Sequence, residues 1–478
     1  MQSQNPAESG VSARLGVWDG VSIIVGIVVG VTIFKAPPLI FSNVSGPWMG
    51  LAAWGLGGVL SLIGALCYAE LASTYPRAGG DYVYLTRAYG RLSGFLFSWA
   101  QLSVILTGSI GAMAYVFSDY AVGFWSDGNA SSMSAWYAAG AVAVLTLVNG
   151  FGVLMSKGIQ NFLTLAKILG LVAICVAGLM MTDFESASLT RPASESGMGF
   201  GFAMIFVLYA YGGWNDAAFV AADVRHPKRN ISRVLLYGTA TIILIYLLIN
   251  AAFLSALGFE GLRASSAPAI EILEPLLGQW GGRAMGILVM ASALGAINGL
   301  IFTGSRIYAS AGEDHRLFER LGRWNQKLGA PLWSLGIQAA FGLSMILGVG
   351  TESGRSALDA VMVGLGLNPL PWERFGGGFD VLVAGTAPVF WLFFLLTGLS
   401  VFVLRRKDRE IERPFLVPLY PWTPIIFCLT SIYMLWSALD YARALSFIGI
   451  LPLFIGLGLY ALTNGVPTGR SSDDRSEA

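Results

Sequence analysis

The sequence predicts an all-α polytopic membrane protein of twelve transmembrane helices: a five-plus-five inverted repeat with broken helices 1 and 6, plus helices 11 and 12. Three observations predict it. Of 478 residues, 55% are hydrophobic and only 12% are charged, against roughly 25% charged in an ordinary soluble domain. The apolar residues gather into stretches near the ~20 residues that a helix needs to cross a bilayer core. Two of those stretches, the first and the sixth, are interrupted by glycines or prolines. The 60 Gly and 14 Trp agree, since Gly and interfacial aromatics are enriched in membrane-spanning helices.

The same composition excludes other classes. Lys and Arg number 29 against 28 Asp and Glu, which leaves no basic field for phosphates, so the expected surroundings are a lipid bilayer and not nucleic acid. The three cysteines, Cys67, Cys175 and Cys428, fall inside apolar stretches and form no disulfide framework. His226 and His315 are the only histidines, both lie in loops, and no Cys/His or Asp/Glu group has metal-ligand spacing. No P-loop pattern is present. An enzyme is therefore not expected, and neither a cofactor nor a metal.

Taken in order, the spans are expected near 17–41, 48–74, 92–120, 135–153, 159–181, 199–222, 234–257, 284–309, 333–349, 379–404, 420–439 and 445–462. Residues 1–14 read as a cytoplasmic tail, 15–464 as the transmembrane domain and 465–478 as a second cytoplasmic tail. Within the domain, repeat one covers about 15–182, repeat two about 199–404 and the extra helices about 419–464. The start is polar and no small-residue cleavage site follows the first apolar run, so a cleaved signal peptide is not expected. Orientation follows from Lys and Arg in the loops. With the N-terminus inside, the inner loops collect Arg77, Arg87 and Arg91, then Arg225, Lys228, Arg229 and Arg233. Arg316, Arg320, Arg323 and Lys327 follow, then Arg405, Arg406, Lys407, Arg409 and Arg413. The outer loops hold Arg191, Arg263, Arg283, Arg355, Arg374 and Arg443. Both termini are thus expected in the cytoplasm of a multi-pass cell-membrane protein.

The first span contains Gly26, Gly30, Pro37 and Pro38; the sixth contains Tyr209-Ala210-Tyr211-Gly212-Gly213-Trp214-Asn215-Asp216. A helix-interior Gly costs about 1 kcal/mol relative to Ala. Unwound backbone survives in hydrocarbon only where protein or a water-filled cavity supplies partners. Gly26 and Gly30 also have the spacing of a close-packing seam. Two interrupted segments five spans apart favour a binding site near the bilayer midplane, and the odd-length repeat makes the halves inverted. Asn215 and Asp216 read as caps of the resumed helix.

At these residues the chain resembles the amino acid–polyamine–organocation superfamily, and within it the L-type amino acid transporter branch. The resemblance runs over about residues 15–427. Its most specific pieces are ELASTYPRAGGD at 70–81, AYGGWN at 210–215 and DVRHPKRN at 223–230. Asn298-Gly299 with Gly304-Ser305-Arg306, Leu404-Arg405-Arg406, Arg413-Pro414-Phe415 and Tyr420-Pro421 follow in family order. The resemblance implies a secondary transporter that moves amino acids, neutral ones foremost, across the cell membrane by alternating access. It implies sodium independence, with exchange (an antiporter) or proton linkage as the mode. The alternatives are carriage of an amino-acid-derived amine or polyamine, or a nutrient sensor on a transporter scaffold, which typically carries a long cytoplasmic extension.

A zwitterion needs two opposite fields close together. The N-terminus of a half-helix suits a carboxylate, and free carbonyls at the other half's end suit an ammonium group. The resemblance implies a carboxylate site at Gly30, Val31 and Thr32 with Val28 nearby, and an amine site at Val28, Tyr209, Ala210 and Gly212. The family pattern Gly-Ser-Gly-Ile-Phe is here Gly30-Val31-Thr32-Ile33-Phe34. Thr32 either supplies the missing hydroxyl or narrows the pocket. Tyr209 stands where the branch places an aromatic gate that excludes water.

Lys167 is the most informative charge. An ammonium at mid-membrane costs about 2.5–3.5 kcal/mol, so it should face protein or water and have a partner. The resemblance implies that it reaches the unwound part of the first span, where sodium-coupled relatives hold an ion, and that with Tyr209 it serves coupling and gating. Glu70 and Arg77 read as structural ion-pair residues, Arg306 as packing against the inner loops, and Lys35 as reaching the outer interface. Ser103, Thr107 and Ser109 either line the pocket or bond their own backbone. The loop 122–134 has no Cys, so no disulfide-linked heavy chain is expected. In the outer segment 351–380, residues 357–367 read as a short amphipathic helix or a lid.

Overall fold

The computed structural model describes residues 14–125, 130–180, 199–374 and 377–464. Apart from Arg14, the two tails expected at 1–14 and 465–478 lie outside them, as does Arg191. The described chain is helical throughout. Its β contacts are two isolated bridges, Leu15 with Val224 and Asn325 with Ala330.

The first span is two helices, α1 (Val17–Val28) and α2 (Thr32–Ser42), bent by 55° at the break. α3 (Pro47–Thr74) follows, then a short helix α4 (Asp81–Tyr89) whose first five residues are buried. The third span runs α5 (Arg91–Ala100), a π-helical turn Gln101–Ile105, and α6 (Leu106–Trp125). α7 (Ala130–Gly150) and α8 (Val153–Met180) complete the first half. The sixth span is α9 (Phe200–Ala210) and a 3-10 segment Trp214–Asp223. Then come α10 (Pro227–Ala264), α11 (Pro268–Leu277), α12 (Trp280–Asp314), α13 (Leu332–Gly350), α14 (Glu352–Gly364) and α15 (Gly378–Lys407). α16 (Trp422–Ala442) and α17 (Ser446–Asn464) close the chain. Proline opens α3, α10 and α11, where its missing N–H is one that the first turn leaves unpaired anyway.

Among the described residues, nine helices are long and apolar enough to cross a membrane, or ten with the bent pair counted as one. Twelve was the expectation from sequence. The difference lies in the sixth span, whose halves of 11 and 10 residues are each too short, and in 422–463, which count as one stretch although α16 and α17 are separated by a turn.

α8 shows how the bundle meets lipid. Phe162, Leu165, Leu169, Val172, Val176 and Leu179 are exposed along one face, while Ser156, Gln160, Thr164 and Lys167 are buried on the other. Both sets follow the helical repeat. A helix that is oily outside and polar inside suits a hydrocarbon solvent. Trp18, Trp48, Trp280, Trp333 and Trp422 stand exposed near helix ends, the placement of an interfacial belt. α14 begins at Glu352, five residues before the amphipathic stretch expected at 357–367, because the Thr351 side chain caps it by accepting from the Gly354 N–H at 3.0 Å.

Buried polar groups tie the helices together. Asn149 of α7 donates to the Asn298 side chain of α12 at 2.9 Å, and Asn298 donates to Gln160 of α8 at 2.8 Å. Glu70 is fully buried and accepts from Arg405 at 2.8 Å, Arg413 at 3.2 Å and the Val417 N–H at 2.8 Å. Its partners are therefore one basic residue in the last turn of α15 and one just after it. Arg77 instead pairs with Glu313 at 3.4 Å.

Candidate functional site

The unwound segment Val29–Val31 leaves carbonyls that three neighbouring helices satisfy. Lys167 of α8 is fully buried, and its Nζ donates to the Gly26 carbonyl at 2.8 Å. Ser292 of α12 donates to the Val29 carbonyl at 3.3 Å. Tyr246 of α10 places its hydroxyl 2.9 Å from both the Val28 and the Ala210 carbonyls, so one proton is shared between the two breaks. The Val28 carbonyl also accepts from the Gly30 N–H at 2.8 Å.

Donors are left over on the other side of the break. The N–H groups of Val31, Thr32 and Ile33, at the start of α2, meet no acceptor among the described residues. They form the positive end of a half-helix aimed at mid-span. In the sixth span the chain turns at Gly213, whose φ of +104° is open to glycine. A side chain there would also meet Ile27 at 2.9 Å, so this glycine lets the two breaks approach. The Trp214–Asp223 segment starts at that turn.

Between the breaks lies a cavity of about 150 Å³, comparable to the roughly 150 Å³ engineered cavity that admits benzene. Val28, Gly30, Thr32, Tyr209, Ala210 and Gly212 line it. Of the expected site residues, Val31 and Lys167 are absent from the wall: Val31 is the cap of α2, and Lys167 stands behind the break on the Gly26 carbonyl. Phe390 and Trp391 of α15, Met113 and Ser109 of α6, and Gln101 of the π-helical turn complete much of the wall. Ser103 and Ser109 donate to their own helix, to the Trp99 and Ile105 carbonyls, and Thr107 donates to Leu102.

Two expectations are revised here. Asn215 and Asp216 make no capping bond; Gly213 holds the cap position, and Asp216 faces the cavity. The reason is the left-handed turn at Gly213, which starts the new segment two residues earlier than the capping rule reads it. Arg306 does more than pack against loops: its Nε donates to Asp223 at 3.0 Å in a pair that is 2–3% exposed. No residue of the π-helical turn was singled out beyond Ser103, because an extra residue per turn has no Gly or Pro signature. Gln101, a polar residue inside an apolar run, was the available signal.

Comparisons with known proteins agree with this architecture. The family model described as amino acid permease matches residues 15–457. The human b(0,+)-type amino acid transporter 1 is 28% identical over 448 residues, covering 91% of this chain and 84% of the relative. The human cystine/glutamate transporter is 30% identical over 94% of this chain and 83% of its own length. A serine/threonine exchanger of Bacillus subtilis (strain 168) is 26% identical over 95% and 97%. With broken first and sixth spans around a central cavity and a family match over nearly the whole length, the chain belongs to the amino acid permease family of the amino acid–polyamine–organocation superfamily, on its L-type-like side.

Proposed function

We propose that the chain is a secondary transporter that carries small neutral amino acids across the cell membrane by alternating access, independently of sodium and by exchange or proton linkage. The observation that carries this reading is the central cavity, walled by both breaks, with the free N–H groups of α2 at its edge. Such donors suit a carboxylate, and a volume near 150 Å³ suits a compact side chain. Names of the relatives that include serine/threonine exchange and amino acid transport support the substrate class. Sodium independence draws on Lys167, a fixed cation bonded to the Gly26 carbonyl in the first span. Tyr209, on the cavity wall, is the proposed aromatic gate.

The proposed layout has repeats at about 15–182 and 199–404, extra helices at 419–464, and both termini in the cytoplasm. No disulfide-linked partner is proposed, since Cys67 and Cys428 are buried and Cys175 is half-buried. The test is counterflow of radiolabelled L-serine and L-alanine into sealed proteoliposomes in sodium-free buffer, with and without a pH gradient. Stimulation by internal substrate supports exchange. A requirement for sodium refutes the reading of Lys167, and binding without movement would make the chain a sensor.

A further inference from the structure

Among the described residues, six carboxylate and cationic residues are buried to less than 9% exposure, and five have protein partners. Glu70 holds Arg405 and Arg413; Arg306 and Asp223 hold each other; Lys167 holds the Gly26 carbonyl. Asp81 accepts hydroxyls from Tyr68 and Thr397. Asp216 alone, at 7% exposure, makes no hydrogen bond or ion pair through its side chain with any described residue. Among the described residues it is also the one carboxyl group on the wall of the central cavity. A buried carboxylate without a partner is strongly unfavourable unless a cation or a proton joins it.

Gln101, 4% exposed, belongs to the same wall, with its Oε1 closed off from the cavity and without a donor. Meanwhile the carbonyls that an ammonium group would otherwise use are partly taken, Val28 by the Gly30 N–H, and Val28 and Ala210 in common by the one Tyr246 hydroxyl proton. The cavity thus offers free N–H groups at α2 and an unmatched acceptor at Asp216.

We propose that Asp216 is the anionic subsite of this cavity, pairing directly with the ammonium group of the cargo, while the α2 N-terminus takes its carboxylate. The inference rests on the transport reading above and deepens it, because recognition of the amine then uses an ionised side chain in addition to peptide dipoles.

The test deletes each half of the cargo in turn. Wild type, Asp216→Asn, Asp216→Ser and Asp216→Glu are reconstituted, and L-alanine, propionate (no amine) and ethylamine (no carboxylate) compete with radiolabelled L-alanine. Thermal-shift binding of the same compounds is read in parallel, so that a chain that binds but does not carry refutes the transport reading without removing this test. In wild type, propionate binds at least about tenfold more weakly than alanine, and ethylamine competes measurably. In monodisperse Asp216→Asn or Asp216→Ser, alanine weakens about tenfold or more while propionate is unchanged, so the discrimination collapses; Asp216→Glu keeps it. An unchanged alanine-to-propionate ratio in either neutral variant overturns the proposal and assigns Asp216 a protonated or structural role. Failure of ethylamine to compete with wild type overturns it as well, even if neither neutral variant can be purified.

Discussion

Replacing Lys167 by Ala separates its structural from its transport role. The intact lysine carries an insertion cost of about 2.5–3.5 kcal/mol at mid-span, and its charged hydrogen bond to the Gly26 carbonyl at 2.8 Å offsets about 1.5–3 kcal/mol of that. The two nearly cancel, so Lys167→Ala should be made and inserted at close to wild-type levels. What the substitution removes is the pin on the break. In the closed arrangement the Gly26 carbonyl loses its donor in a dry interior, at about 1–3 kcal/mol, whereas an arrangement that opens the break to water loses nothing. A bias of that size shifts the balance between the two by about 5–150-fold. Counterflow of radiolabelled L-serine into proteoliposomes should fall by a factor in that range, with yield and elution profile in detergent unchanged. Near-normal counterflow in Lys167→Ala would refute the reasoning.

Tyr246→Phe removes the hydroxyl shared by the Val28 and Ala210 carbonyls. Stability should fall by about 1 kcal/mol and exchange should slow, checked by denaturant unfolding and counterflow. Asp223→Ala leaves Arg306 buried without its counter-charge, a loss of about 3–5 kcal/mol, and should abolish monodisperse protein on size-exclusion chromatography. Asp81, the first residue of α4, has its carboxyl pushed up to about 6 by burial, against 3.8 when free. The folded state therefore holds the extra proton, and this group's contribution to stability declines as pH rises from about 4 to about 6. The wild-type thermal midpoint minus that of Asp81→Asn should decline over the same interval; a flat difference would contradict this.

The helical class and the first break were legible because they are local. Gly26, Gly30 and the proline pair mark the first span, and Gly212-Gly213 the sixth, and both structural interruptions fall there. The wall residues Val28, Gly30, Thr32, Tyr209, Ala210 and Gly212 sit on those same segments. Pairings across the fold were not legible. Glu70 finds Arg405, 335 positions away, while the nearer Arg77 goes elsewhere, because helix packing and not sequence distance decides which charges meet. Tyr246 looked like any aromatic in an apolar run, since nothing local says that its hydroxyl bridges two unwound segments. Asp216 was read by a capping rule that assumes an α-helical restart, and the left-handed turn at Gly213 rotated it into the cavity.

The Asn149–Asn298–Gln160 cluster has a consequence for biogenesis. Lys167 emerges from the ribosome after its carbonyl partner at Gly26, so it can be matched on arrival. Gln160 and Asn149 precede Asn298 by 138 and 149 positions, which at typical synthesis speeds of about 5–20 residues/s is a wait of very roughly ten seconds. Asn149 meanwhile bonds the Leu145 carbonyl and the Ser156 hydroxyl, so Gln160 is the amide that waits in a nascent span with its mate untranslated, and substitutions at Asn298 should surface first as a maturation defect, before any change in the finished protein's turnover.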